Sequence, residues 1–144
     1  MSQTTETSSA PASAFSAFKP KLTHVAKHVA DIDRALGFYV GVLGMKELMR
    51  IPLGKGLAEV ILGFPDSQAA GVILMWHTEQ KEPRKLGNGY SRFVLNVSDV
   101  DAACELLAKQ GTPVVTPPTT YGGLKFAMVK DPDGYVIELL QLAR

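Results

Sequence analysis

His24-Val25-Ala26-Lys27-His28-Val29-Ala30-Asp31-Ile32-Asp33-Arg34-Ala35 recurs 68 residues later as Arg92-Phe93-Val94-Leu95-Asn96-Val97-Ser98-Asp99-Val100-Asp101-Ala102-Ala103. Val29, Asp31, Asp33 and Ala35 return unchanged, and Ile32 returns as Val100. Each copy reads as a strand that stops at an aspartate and turns into a helix. Asp31 and Asp99 suit the N-cap, where a carboxylate accepts from the orphan N–H groups of the first turn. Asp33 and Asp101 add negative charge where the helix dipole favours it. The first helix then predicts an apolar side of Ile32, Leu36, Tyr39, Val40 and Leu43. The second predicts Val100, Ala103, Cys104, Leu107 and Ala108 at the same spacing. Gly44 and Gly111 stand where each helix needs a C-cap.

Outward from these copies, three strand-like runs follow each helix. They are Lys46–Pro52, Leu57–Phe64 and Gly71–His77 in the first half, and Pro113–Pro117, Lys125–Lys130 and Tyr135–Leu142 in the second. Asp131-Pro132-Asp133-Gly134 joins the last two runs as a hairpin turn, with proline presetting φ and glycine free to take positive φ. The pattern is βαβββ twice, an α+β fold of two modules related by a pseudo-twofold axis. A lone module would leave one sheet face bare, and pairing two covers it. The reading divides the chain into a disordered tail over residues 1–20 and one domain over 21–144. The first module covers 21–78, a polar linker with Pro83, Gly87 and Gly89 covers 78–89, and the second module covers 89–144.

The bulk numbers narrow the function by exclusion. With 144 residues, 46% hydrophobic and 20% charged, the chain has the composition of an ordinary globular domain. A net charge of +1 argues against nucleic acid and anionic membrane as partners. The basic run Lys81, Arg84, Lys85 is interrupted by Glu82 and reads as a solvated loop. Cys104 is the single cysteine, so no intrachain disulfide is possible, and it reads as a small buried hydrophobe. No run approaches the length of a membrane span, and the Ser/Thr/Ala-rich start has no apolar signal core. These features predict a cytoplasmic protein. There is no phosphate loop, dinucleotide fingerprint or nucleophile elbow.

The repeat also pairs the chemically interesting positions. His24 corresponds to Arg92, and laying Val72-Ile73-Leu74-Met75 over Val136-Ile137-Glu138-Leu139 sets Leu74 against Glu138. Strand alternation then predicts that His24, Leu74, Arg92 and Glu138 share one side. His28 follows on the same face as His24, and Trp76 on the same face as Leu74. Lys125 and Tyr121 follow Thr119-Thr120 in a Gly-containing loop and are expected to border a cavity.

Thr23-His24-Val25, Val29-Ala30-Asp31-Ile32-Asp33-Arg34 and Phe38-Tyr39-x-x-Val42-Leu43-Gly44-Met45 resemble the opening of bacterial glyoxalase I. Tyr90 through Val97 and Asp131-Pro132-Asp133-Gly134-Tyr135-x-Ile137-Glu138-Leu139 resemble its second half. The likeness runs from Leu22 to Gln141. It is a resemblance to the vicinal-oxygen-chelate superfamily of glyoxalases, bleomycin-resistance proteins and extradiol dioxygenases, and it implies a glyoxalase-like open sheet around a central cavity, in a homodimer. It further implies a metal held by a His or Gln, a Glu, a His and a Glu at the positions of His24, Leu74, Arg92 and Glu138. Leucine has no lone pair and arginine carries a fixed positive charge, so only His24 and Glu138 remain as metal ligands. Catalytic zinc usually takes three protein ligands. No cofactor is therefore firmly implied, although a divalent ion (Zn, Ni, Fe or Mn) would be the family's choice.

Three functional readings follow. One is a glyoxalase-like lyase or isomerase for a small oxygenated metabolite, with Glu138, Arg92 and His24 catalytic and His28, Trp76, Leu74 and Lys125 against the substrate. Another is a non-catalytic small-molecule binder of the bleomycin-resistance type, in which Arg92 and Glu138 form an ion pair plugging a vestigial site. The last is a metal-dependent glyoxalase I or ring-cleaving dioxygenase whose missing ligands come from elsewhere.

Overall fold

The computed structural model of the chain describes residues 13–66 and 71–142. β1 (His24–Val29), α1 (Ile32–Leu36), β2 (Lys46–Gly54), β3 (Leu57–Gly63) and β4 (Gly71–His77) form the first module. β5 (Phe93–Asn96), α2 (Val100–Lys109), β6 (Val114–Tyr121), β7 (Leu124–Lys130) and β8 (Val136–Leu142) form the second. The sheets run β1-β4-β3-β2 and β5-β8-β7-β6, with β1 parallel to β4, β5 parallel to β8 and the other neighbours antiparallel. The two βαβββ modules are thus present as read, each a mixed four-stranded open sheet. Residues 1–12 of the expected disordered tail lie outside the described residues. Within that same tail, Ala14–Phe18 forms a 3₁₀ turn, because the Ser13 hydroxyl accepts from Phe15 N–H and caps it.

Both helix starts behave as the aspartates require. Asp31 Oδ1 accepts from Arg34 N–H at 3.1 Å and Asp99 Oδ1 from Ala102 N–H at 3.0 Å. The helices then diverge. α2 is a regular α-helix that buries Val100, Cys104 and Leu107. α1 gives way at Gly37 to a π-helical turn through Val42, in which Leu43 N–H donates to the Phe38 carbonyl five residues back. The wider turn rotates the following side chains. Phe38 and Tyr39 are buried together, while Val40, expected on the apolar side, is exposed. Gly44 and Gly111 end the two segments at φ +82° and +88°, a region that favours glycine.

Each helix covers one face of its own sheet. Ile32, Ala35, Phe38, Val60, Leu62, Val72 and Leu74 of the first module and Val100, Cys104, Leu107, Ala127, Val129, Ile137 and Leu139 of the second all belong to one buried core. The opposite faces carry no helix. β6 runs further than its sequence suggests, through Pro117 and Pro118 to Tyr121. It tolerates them because it is an edge strand, with a register irregularity between Thr116 and Thr119. Thr119–Tyr121 are therefore strand rather than loop, and Gly122-Gly123 makes the hairpin to β7.

The modules meet where the turn between β7 and β8 reaches the first module. Asp131 Oδ1 accepts from the N–H groups of Asp133 and Tyr135, and its Oδ2 accepts from Tyr39 Oη–H at 2.5 Å and from Lys27 Nζ at 3.3 Å. Lys27 Nζ also lies against Tyr39 Oη and 4.3–4.6 Å from the ring centres of Tyr39, Phe93 and Tyr135. Asp133 accepts from Ala30 N–H at 2.9 Å, and Tyr135 Oη–H donates to the His28 carbonyl at 2.8 Å. The open edge of β1 is thus satisfied by side chains of the second module.

Candidate functional site

Register decides which side chains share a face. Val94 pairs with Glu138, so Arg92, Val94 and Glu138 lie on the helix-free face of the second sheet. In the first sheet Ala26 pairs with Ile73 and Lys27 with Leu74. Ala26 and Val94 are the repeat partners, so Ile73, and not Leu74, is the structural counterpart of Glu138. The first strands match at an offset of 68 residues and the last at 65 (138 less 73), whereas aligning the closing strands by similarity gives 64. A slip of one residue turns every side chain to the other face. Leu74 accordingly points away from His24 into the core, with no exposed surface.

The same slip relocates Trp76. It lies on the helix side with Leu74, beside Ala30, Ile32, Arg34 and Pro83. Lys125 is also on the helix side and pairs with Asp101 of α2 at 2.5 Å. Tyr121 is an exposed edge residue. None of these three joins Arg92 and Glu138. Conversely His24, His28 and His77 all lie on the helix-free face of the first sheet, since β4 alternates from Gly71 through Ile73 and Met75 to His77. Gly71 sits opposite His24, and a Cβ there would collide with the Leu62 carbonyl and press on the imidazole. Glu59, which pairs with Met75, shares that face. Alternation along Leu57–Gly63, with Val60 and Leu62 inward, carried the signal for Glu59, but a strand glutamate looks like ordinary surface in a sequence.

Arg92 and Glu138 make the most developed polar pair on either open face. Arg92 Nε donates to Glu138 Oε1 at 2.5 Å and Nη1 to Ser91 Oγ at 3.0 Å. Glu138 is 7% exposed although its face has no helix, while 40% of the Arg92 side chain remains accessible. An exposed ion pair contributes about 0–1 kcal/mol. Removing the arginine from a carboxylate this buried costs roughly 3 kcal/mol, because a desolvated charge is left alone. The free edge of the guanidinium is the part a ligand can reach.

Among the described residues, these positions offer two metal donors, His24 and Glu138. Ile73 supplies no lone pair, Arg92 presents a fixed cation, and His24 stands on the other sheet from Glu138. Among the described residues no three His, Cys, Asp or Glu side chains gather in a way that could hold an ion.

The second unusual group was missed in the sequence. Lys27 is 7% exposed, and burial lowers its pKa to about 8, against the opposing pull of Asp131. Burial, reinforced by the Asp131 charge, pushes the Tyr39 phenol strongly upward. Burial also raises Asp133, whose Oδ2 has no hydrogen-bond partner. A lysine one residue before a histidine on a strand carries no sign of this; only the arrival of Asp131 from 104 residues away makes it a buried cation. Cys104 is buried in the core, where desolvation raises its thiol, in keeping with a hydrophobic role.

The profile of the Glyoxalase/Bleomycin resistance protein/Dioxygenase superfamily matches residues 21–139. A lactoylglutathione lyase of Neisseria meningitidis is 36% identical over 124 residues, covering 84% of this chain and 90% of that one. The solved glyoxalase I of Leishmania major superposes with a TM-score of 0.75 at 29% identity, covering 85% of this chain and 86% of the other. TnmS3, an antibiotic binding protein from Streptomyces sp. CB03234, superposes with a TM-score of 0.69 at 27% identity, covering 86% and 97%. No helix among the described residues is long and apolar enough to cross a membrane. This chain is a glyoxalase I-like member of the glyoxalase/bleomycin resistance/dioxygenase superfamily.

Proposed function

We propose that the protein is a glyoxalase-like lyase or isomerase acting on a small oxygenated metabolite, with the Arg92–Glu138 pair in place of the family's metal site. The observation that carries this reading is the 2.5 Å pair itself, a buried carboxylate held by a half-exposed guanidinium on an otherwise open face. Its chemistry suits a proton shift beside a carbonyl. Glu138 takes the proton from carbon, the electron pair moves onto the carbonyl oxygen, and Arg92 holds the resulting enolate. The carbon that lost the proton carries a hydroxyl; its O–H proton passes to the former carbonyl oxygen as Glu138 returns its proton to the neighbouring carbon, so the carbonyl and hydroxyl exchange places and Glu138 ends ionised as it began. His24, from the first module, is the polar group assigned to orient the substrate. The similarity to lactoylglutathione lyases supports the reaction class.

We further assign a homodimer, in which a second copy covers the helix-free faces. Val94 and Met49, both about half exposed there, supply apolar surface for it. Light scattering on the purified protein reads the mass directly, and a monomer at micromolar concentration removes this assignment.

Glu138→Gln is the decisive variant. General-base catalysis is worth about 10²–10⁴-fold, so turnover of α-oxoaldehyde adducts should fall by that factor while the fold persists. Zn, Ni, Fe and Mn are added back singly to dialysed wild type in the same assay. Activity that depends on stoichiometric retained metal sinks the proposal and returns the chain to metal chemistry. A second reading, a binding protein without turnover, is favoured by the likeness to TnmS3. It predicts ligand binding that Glu138→Gln leaves nearly unchanged and no turnover in either protein.

A further inference from the structure

Between the edge strands β1 and β5 lies a cavity of about 630 Å³ that the Arg92–Glu138 pair does not line. Val25, Lys27 and Val72 face it from the helix side of the first sheet, and Phe93 and Leu95 from that of the second. Phe64, Tyr90 and Tyr135 add flat aromatic walls, and the linker segment Arg84–Leu86 completes the lining. Tyr90 and Tyr135 are fixed edge to face at 5.2 Å, so this wall is rigid.

The charge of the lining is one-sided. Lys27, His28, Arg84 and Lys85 all line it, and among the described residues no carboxylate does. Lys27 is engaged by Asp131 from behind, but Arg84 and Lys85 pair with no carboxylate among the described residues. Arg84 Nη1 makes one hydrogen bond there, to the Glu82 carbonyl at 3.2 Å. Its remaining N–H groups are available to a planar anion, which a guanidinium grips with two parallel bonds. A mostly apolar concavity of roughly 300–1,000 Å³ with a few convergent polar groups is what a small ligand requires.

We propose that this cavity, which reaches Val94 but is lined by neither Arg92 nor Glu138, is a second ligand site, and that it takes an organic carboxylate with an aromatic body. The ring lies against Phe93, Tyr90 and Phe64, and the carboxylate meets Arg84 and Lys85. The site does not depend on the chemistry assigned to Glu138.

The test is a methyl NMR titration of full-length protein with 4-phenylbutyrate, compared with 4-phenylbutanol. The proposal expects saturable shifts at Val25, Val72, Leu86 and Leu95, with the acid binding about tenfold tighter than the alcohol, a difference of roughly 1.4 kcal/mol. Arg84→Glu with Lys85→Glu should cost the acid about tenfold or more and leave the alcohol unchanged. Val25→Trp, at a half-exposed position, should fill the cavity and block both. The melting temperature of each variant confirms folding. Shifts confined to Ile73, Met128 and Leu140 on the helix-free faces would overturn the proposal. So would equal affinity for acid and alcohol, indifference to both variants, or no shift at millimolar ligand.

Discussion

The seam between the modules has two ends related by the repeat, and they are built from opposite materials. At one end Lys27 and Tyr39 of the first module take hold of Asp131 from the second. At the other, 68 residues on, the same positions are Leu95 and Leu107. There the residues around them, with Phe64, Val42 and Leu43, line an open concavity of about 640 Å³. Backbone symmetry is thus kept while the interior is not. At the polar end every charge has partners except one oxygen of Asp133, and the turn is drawn into the first module by directional bonds. At the apolar end no such directional bonds act, although concavities of similar size, about 630 and 640 Å³, lie beside both ends. Duplication conserves a backbone path, but each copy's side chains are free to specialise.

The sharpest way to break this contrast is to remove the polar end. Asp131→Ala should destabilise the fold by about 3–5 kcal/mol in urea melts, since Lys27 is left buried without its counter-charge. A loss below about 1 kcal/mol would mean the clasp contributes no more than a surface pair. The next effect is in pH. Lys27 titrates near 8 in the folded chain against 10.5 as a free side chain. Between these values the unfolded chain binds more protons, so stability rises with pH there, by up to about 3 kcal/mol. Above about pH 10 the sign reverses, because Tyr39 and Tyr135 are raised and Tyr90 is pushed up to about 12. The folded phenols then keep protons that the unfolded chain releases. Wild type should therefore be most stable near pH 10, and Lys27→Leu should lose the rising limb. A flat profile shared by both proteins would contradict the assignment.

The smallest effect sharpens the apolar end. Leu95→Phe places more volume beside Phe64 and Leu107, and cavity filling of this kind yields roughly 0.5–2 kcal/mol. A lower melting temperature instead would show that the space is closed to a larger side chain. Leu95→Lys, which imitates the other end, should be strongly destabilising because no carboxylate lines that concavity among the described residues.

The two open faces repeat the lesson in chemistry. The second presents a matched cation and carboxylate in Arg92 and Glu138, while the first presents His24 opposite Gly71 and Ile73 where a carboxylate would stand. Reading His24, Arg92 and Glu138 as exceptional needed only the repeat, because charged residues inside otherwise apolar strands stand out. Placing Leu74, Trp76 and Lys125 beside them failed, since a half-turn of the strand is invisible when loops of unequal length separate the copies.

Local signals determined what could be settled locally. The duplicated strand–Asp–helix stretch, the glycines after each helix and the Asp-Pro-Asp-Gly turn defined two βαβββ modules, because capping, periodicity and turn geometry act within a few residues. Tertiary structure alone decided the rest. Strand register chose between Ile73 and Leu74, the π turn rotated Val40 outward, and Asp131 made a buried cation of Lys27. Each of these rests on contacts between residues distant in the chain, where pairing and desolvation, rather than neighbouring sequence, determine the outcome.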